Sequence, residues 1–437
     1  MSHHGSKLRP LFVAMLACLA SIAHGQTLPE VVRHSLEHYP QIQASLAKAL
    51  AADAEISKAS SAHMPQLSLT ASSNHYGSGK TPASLGSTSL SPTAKVNLWS
   101  GGRIEADTDR ARALSRAAHL TSKVTFDDVA LLVCEAYFNW AKTADLYQLA
   151  VKNMQLHEEV LEDIRIIAQT DSGRRIDLDQ ASVRLDNARL ILQQRKADLA
   201  QAMQKMQRFW PDDLDARPVG LDVTMGTEGY FSDLPSSAAE AAESVSDQLP
   251  AIAQYVEQVQ AAQAALRMAK GLYWPSLDLV TSRQYNTETA KQDFLTQLQL
   301  NMPLYSGGSV TAQVKAAEQQ LKASELSLEE ARLVQREKAV LAWQDWSATR
   351  TRAEVGTTQS DIGEKVVQGY RQQFKLAKRS LLDLLNIQAD SFGYRSAAVS
   401  AFHDERIARA RLLASIGQLA ARFTPQAALA PSENTPS

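Results

Sequence analysis

Apolar residues recur every seven positions through the first half of the chain, at Phe126, Val133, Trp140, Tyr147, Met154, Leu161 and Ala168. A second row falls at Ala130, Tyr137, Ala144 and Val151. This period predicts a helix packed along one seam, either in a coiled coil or as the core stripe of a helical bundle. Proline placement permits great length. There is none between Pro92 and Pro211, nor between Pro303 and Pro425. A proline inside a helix costs about 3 kcal/mol, so such gaps are open to unbroken helices. Residues 103 to about 168 are predicted as one helix of roughly 100 Å, at about 1.5 Å per residue. Alanines such as Ala106, Ala111, Ala113, Ala117 and Ala118 would let neighbouring helices approach closely. Thr170-Asp171-Ser172-Gly173 is turn chemistry, which folds the chain back into a second, antiparallel arm. A later turn is expected at 375–380, followed by a helix to about Phe423.

The period drops to two in four short segments, 67–74, 91–98, 277–285 and 296–304. Leu67, Leu69 and Ala71 alternate with Ser68, Thr70 and Ser72, and aromatics (Tyr76, Trp99, Tyr285, Tyr305) stand at segment ends. About ten residues of weak alternation fits a strand of an outer-membrane barrel; a surface hairpin on a soluble helical protein is the other reading. Four strands cannot close a barrel, which takes about eight. If these strands span a membrane, several chains share one barrel, and a trimer supplies twelve strands.

The chain also repeats itself. Met64-Pro65-Gln66-Leu67-Ser68-Leu69 is matched 210 positions later by Trp274-Pro275-Ser276-Leu277-Asp278-Leu279, and Pro40 is matched by Pro250. Asn97-Leu98-Trp99-Ser100-Gly101-Gly102 is matched 206 positions later by Pro303-Leu304-Tyr305-Ser306-Gly307-Gly308. Two long copies predict pseudo-symmetric halves of one architecture. The fold class expected is mainly α with a small β part. The organisation expected is a signal peptide at 1–25, a first repeat at 26–210, a linker at 211–236, a second repeat at 237–424 and a disordered tail at 425–437.

The N-terminus carries Lys7 and Arg9, an apolar stretch from 11 to 20 and the small-residue site Ala23-His24-Gly25. It reads as an export signal, with a retained anchor or a lipid-modified Cys18 as alternatives. Cleavage after Gly25 moves the formal charge from −2 to −4 and leaves Cys134 alone, so no intrachain disulfide forms. The charge is too mild, and basic residues too dispersed, for a nucleic-acid partner. Gly77-Ser78-Gly79-Lys80-Thr81 looks like a phosphate loop but lacks a leading glycine and is followed by Pro82, so it reads as an exposed loop. His34 and His38 share a helix face but lack a third ligand at motif spacing. No metal, cofactor or catalytic constellation is expected, and the chain does not read as an enzyme.

These landmarks together resemble the TolC family of outer-membrane efflux and secretion proteins. The likeness rests on Thr27-Leu28-Pro29-Glu30-Val31-Val32, on 64–67, on 304–308 and on the motif Lys378-Arg379-Ser380-Leu381-Leu382-Asp383-Leu384-Leu385-Asn386. The last of these, with Arg411-Leu412-Leu413-Ala414-Ser415-Ile416-Gly417, looks most like type I secretion exits. The resemblance implies a homotrimer in the outer-membrane lipid, with a twelve-stranded barrel and a helical tunnel across the periplasm. It implies a periplasmic adaptor and an inner-membrane ABC transporter as partners; a drug-efflux duct with a proton-driven pump is the alternative. It further implies a gate at the periplasmic tips, where the turn carries Gly173 and Arg175, Arg379 matches a latch arginine, Asp179 its acidic partner and Asp383 an acidic ring. Three positions depart from the family's pattern. Phe374 replaces a tyrosine, so one hydrogen bond is lost. Leu178 stands where a polar acceptor is expected, and Asn386 replaces a second acidic position. Read without the resemblance, Asp179, Arg379 and Asp383 are solvated helix charges. Gly101, Gly102, Gly307 and Gly308 are expected to form the strand-end turns.

Overall fold

A computed structural model describes residues 27–73, 88–170, 174–211, 228–286, 291–376 and 378–424. The expected export signal, the Gly77–Thr81 segment, most of the expected linker and the expected C-terminal tail lie outside the described residues. In chain order the elements are α1 (Leu28–His38), α2 (Pro40–Ser60), β1 (Gln66–Ser73), β2 (Thr88–Trp99), α3 (Arg103–Thr170) and α4 (Arg175–Gln207). Then follow α5 (Ala238–Glu243), α6 (Pro250–Lys270), β3 (Ser276–Asn286), β4 (Lys291–Asn301), α7 (Ser309–Lys375), α8 (Leu381–Ser415) and α9 (Leu419–Phe423). The proline-free gaps thus become α3 and α7, of 68 and 67 residues. Among the described residues no helix is long and apolar enough to cross a membrane.

The chain divides into two compact units. One comprises Pro40–Asp127 and Ala238–Val340 and holds the sheet. Its strands run antiparallel in the order β1-β2-β3-β4. The faces of the sheet differ, because strand side chains alternate. The register sets Leu67, Leu69, Ala94, Val96, Leu279, Leu298 and Leu300 on one face. Ser68, Thr70, Thr93, Lys95, Asn97, Asp278, Gln297 and Gln299 lie on the other. Pro92 can donate no ladder hydrogen bond, and β2 pairs with β3 only from Thr93 onward. The strands begin earlier than the alternation suggested at β2 and β4, and β4 stops at Asn301 rather than 304.

The other unit comprises Met1–Tyr39, Asp128–Ser237 and Leu341–Ser437. Thr27 opens α1 in a capping arrangement, with its N–H and Oγ1 both donating to the Glu30 carboxylate at 3.2 and 2.8 Å. The seven-residue row holds at Val133 and Trp140, both buried. It then slips by one position, and the buried seam continues through Leu146, Asn153 and Val160, with Ala150, His157 and Ile164 beside it. The slip occurs where α3 is covered on more than one side: Phe138, Trp140, Ala141, Ala144, Leu146 and Leu149 are all buried. Phe231, from the stretch expected as irregular linker, is buried there and packs its ring 5.9 Å from Phe138 and 6.1 Å from Phe423. Cys134 is fully buried in the same region, and burial pushes its thiol pKa up. His34 and His38 stack at 4.6 Å, with Trp210 edge-on to His34, so the pair is built into packing.

Candidate functional site

The tip of the second unit is where α3 ends and α4 begins, and where α7 gives way to α8. Ser380 starts α8 as an N-cap, its Oγ accepting from the Asp383 N–H at 3.1 Å. The motif that follows places leucines three and four apart. Leu381 and Leu385 therefore face inward, and bury with Val160 and Ile164 of α3 and Ala181 of α4. Leu161, Ile167, Leu178 and Phe374 pack against that cluster. Leu178 and Phe374, which depart from the family's pattern at polar positions, thus serve here as apolar walls of the tip core.

The polar groups lie around this core. Arg379 does not meet Asp179 within the chain. Its Nε donates to Gln373 Oε1 at 3.0 Å, and its guanidinium lies 4.4 Å from the centre of the Tyr370 ring. The ring that serves Arg379 is thus Tyr370, one helical turn before Phe374. The sequence held a signal for it, an aromatic at i−4 from Phe374, but only the path of the turn brings Arg379 back over it. Asn386 is more than a missing carboxylate: its Oδ1 accepts from Arg184 Nη2 at 3.0 Å, which ties α8 to α4. Arg371 and Glu159, at 2.6 Å, tie α7 to α3 in the same way. Neither tie was found by sequence reasoning, since Arg184, Arg371 and Glu159 stand in no motif.

Asp179 and Arg175 are exposed and Asp383 is half-buried; none has an ion pair within the chain among the described residues. Gly173 lies outside the described residues. A cavity of about 490 Å³ opens beside Arg379, lined by Asp163, Ile166, Ile167, Arg174 and Phe374 among others. Deeper in the bundle His157 is buried, and its Nδ1 has no hydrogen-bond partner. Burial, followed by the nearby Arg184 charge, holds its pKa below the usual histidine value.

In the other unit, a glycine pair precedes each of the long helices α3 and α7. Gly101, Gly102, Gly307 and Gly308 have φ of 67, 77, 63 and 82°, the left-handed region that glycine enters without strain. Gly101 also lacks room, since a Cβ there would lie 2.5 Å from the Trp274 Cβ. On the polar sheet face, buried Asp278 accepts from Asn97 Nδ2 at 2.7 Å and pairs with Lys95 Nζ at 3.0 Å. Among the described residues no group of three or more His, Cys, Asp or Glu could hold a metal.

A sheet apolar on one face and polar on the other, joined to two helices of nearly seventy residues, has clear counterparts. The chain is 23% identical over 407 residues to outer membrane efflux protein BepC of Brucella suis, across 91% of this chain and 87% of that protein. It is 24% identical to outer membrane protein TolC of Vibrio cholerae over 74% of this chain and 76% of that one. The crystal structure of the channel protein CusC superposes with a TM-score of 0.76 over 89% of this chain and 91% of its own, at 17% identity. The profile of the family described as outer membrane efflux protein matches residues 31–210 and 242–418, one stretch in each half of the repeat. The chain belongs to the outer membrane efflux protein family: it is an outer-membrane channel protein of the TolC type, with helices that project into the periplasm, and not an enzyme.

Proposed function

We propose that three copies of this chain form one outer-membrane exit duct for a type I protein secretion system. The observation that carries this reading is how the fold divides the second tip motif. Leu381, Leu384 and Leu385 are buried, whereas Arg379, Leu382 and Asn386 are exposed. The leucines secure the tip, and Arg379, Leu382 and Asn386 of the same motif remain exposed to partners. Those partners are a periplasmic adaptor and an ATP-driven inner-membrane transporter that supplies the energy. The cargo is a large adhesin or toxin.

Closure of the duct falls to the tips. Arg379 of one chain latches to Asp179 of the next, and Asp383 forms an acidic ring that favours cations. A solvated pair contributes about 0–1 kcal/mol, so three give a latch of about 0–3 kcal/mol, weak enough for an adaptor to open. A second reading, a duct for small-molecule efflux, is favoured by the word efflux in the family description and in the name of BepC. A deletion strain separates the two. Loss of an exported protein with unchanged drug sensitivity supports secretion; drug hypersensitivity with normal export overturns it.

A further inference from the structure

A cavity of about 530 Å³ opens on the polar side of the sheet, where the strands meet the ends of the helices. All its walls come from the unit that holds the sheet. Ala59, Ile104, Met268, Ala269 and Leu272 give it apolar surface. The charged residues that line it are Lys95, Arg103, Asp107 and Asp278. Three of these are balanced at close range. Asp107 pairs with Arg110 at 2.7 Å, and Lys95 pairs with Asp278 at 3.0 Å. One positive charge is left over, the guanidinium of Arg103.

Arg103 is held in place from two sides. Its Nε donates to the carbonyl of buried Ser100 at 2.8 Å. Its stem passes over Gly271, where a Cβ would lie 2.6 Å from Arg103 Cγ, so the glycine makes room for the arginine. Among the described residues neither Nη of Arg103 donates a hydrogen bond or closes an ion pair. A guanidinium fixed by its Nε and its stem, with both Nη groups left over, is pre-organised to take an oxyanion on its fork.

The internal repeat shows that the fold does not require these charges. Asn301, Ser309 and Gln313 stand 206 positions after Lys95, Arg103 and Asp107. Ser61 and Ser68 stand 210 positions before Gly271 and Asp278. Both copies build a hairpin, a glycine pair and a long helix, yet only one set of positions carries the charges and the glycine that seats the arginine. We infer that this cavity binds a small organic anion, with its carboxylate or other oxyanion on the Arg103 fork and its apolar part against Ile104, Met268 and Leu272. The ligand arrives from water, because Lys95, Asn97 and Asp278 lie on the polar face of the sheet and the apolar face is turned the other way. The site is complete within one chain, so it goes beyond the export reading and does not depend on it.

The test is isothermal titration calorimetry of the purified full chain in a neutral detergent, with naphthoate as the probe. The detergent alone is the blank, and naphthalenemethanol is the neutral control of the same shape. The expected result is saturable binding of one naphthoate per chain, with the alcohol much weaker. Arg103→Gln keeps much of the side chain and removes the fork, and should lower the affinity about tenfold or more. Lys95→Gln leaves Asp278 to balance Arg103, and should weaken binding in the same direction without removing a contact to the probe. Arg116→Gln, at an exposed cation of the same unit paired with Glu257 at 2.7 Å, should bind as the parent does. Near-UV circular dichroism like the parent's shows that each variant folds. Parent-like affinity in folded Arg103→Gln overturns the site. If that variant does not fold, parent-like affinity in Lys95→Gln overturns it instead. Equal affinity for the alcohol and for naphthoate overturns the anion class. No saturable binding of naphthoate to the folded parent overturns the inference as a whole.

Discussion

Replacing Tyr370 by alanine is expected to raise the open fraction of the duct. Tyr370 covers one face of the Arg379 guanidinium at 4.4 Å, and Gln373 takes its Nε at 3.0 Å. Among the described residues neither Nη donates a hydrogen bond, which leaves the fork for a carboxylate from outside. A guanidinium fixed in this way would lose less freedom in the proposed latch to Asp179 of a neighbour than a free one would. A cation–π contact at an exposed site contributes about 0.5–1 kcal/mol. Three copies act together, so the closed state loses up to about 1.5–3 kcal/mol, which is about 10–100-fold in the open-to-closed ratio. Single-channel recording in a planar bilayer measures that ratio directly. Tyr370→Phe keeps the ring face and should behave as the parent, because no hydrogen bond of the hydroxyl enters the argument. Arg379→Ala should open the duct at least as far as Tyr370→Ala. Opening by Arg379→Ala with no change in Tyr370→Ala would refute the role of the ring. Closed channels in both variants would remove Arg379 from the latch.

Other consequences follow from the packing. Leu385 is fully buried in the tip cluster, so Leu385→Ala should destabilise the tip by about 2–5 kcal/mol, seen as faster hydrogen exchange in 156–190 with the sheet unaffected. His157 has a folded pKa below its unfolded value of about 6.5, so the folded state binds fewer protons. Its contribution is intact above that pH and is lost as pH falls through the window down to the folded pKa. Melting of the tip should therefore move to lower temperature on acidification from pH 7.5, and His157→Gln should flatten that dependence. Asp278→Ala strips Asn97 and Lys95 of their acceptor on the polar sheet face and should cost about 1–3 kcal/mol, read as a lower temperature for dissociation of the native band in mild detergent.

The large elements were legible because one strong physical rule governs each. Absent prolines allowed α3 and α7, and a glycine pair with positive φ precedes each of them, at 101–102 and 307–308. The seven-residue row was read as continuous, and was not. A period reports one seam, and it cannot report that Phe231 and its neighbours cover a second side of α3 near Phe138. Nor could the site residues be sorted by type alone. Phe374 and Leu178 were weighed as altered polar positions because the resemblance compares side chains one position at a time. Their roles depend on the depth of Ile164 and Leu385, which lie on other helices. The Arg184–Asn386 and Arg371–Glu159 ties were illegible for the same reason: each needs the relative heights of two helices, which no local pattern encodes.

The sheet is the opposite instance, in which sequence carries long-range information. Two segments 210 positions apart predicted a common environment, and the paired hairpins have identical registers with few side chains in common. Register is a property of turn length and face alternation, and both survived while the residues drifted. At the strand ends the two copies of the repeat differ: Trp99 and Trp274 meet edge-on at 6.4 Å, whereas the equivalent positions carry Tyr305 and Met64. An edge-to-face ring pair contributes about 0.5–1.5 kcal/mol beyond its burial. Trp274→Met, which sets at this position the residue type that the repeat carries at 64, should therefore lower the dissociation temperature of the native band in mild detergent; an unchanged temperature would remove the ring pair from the stability of the sheet.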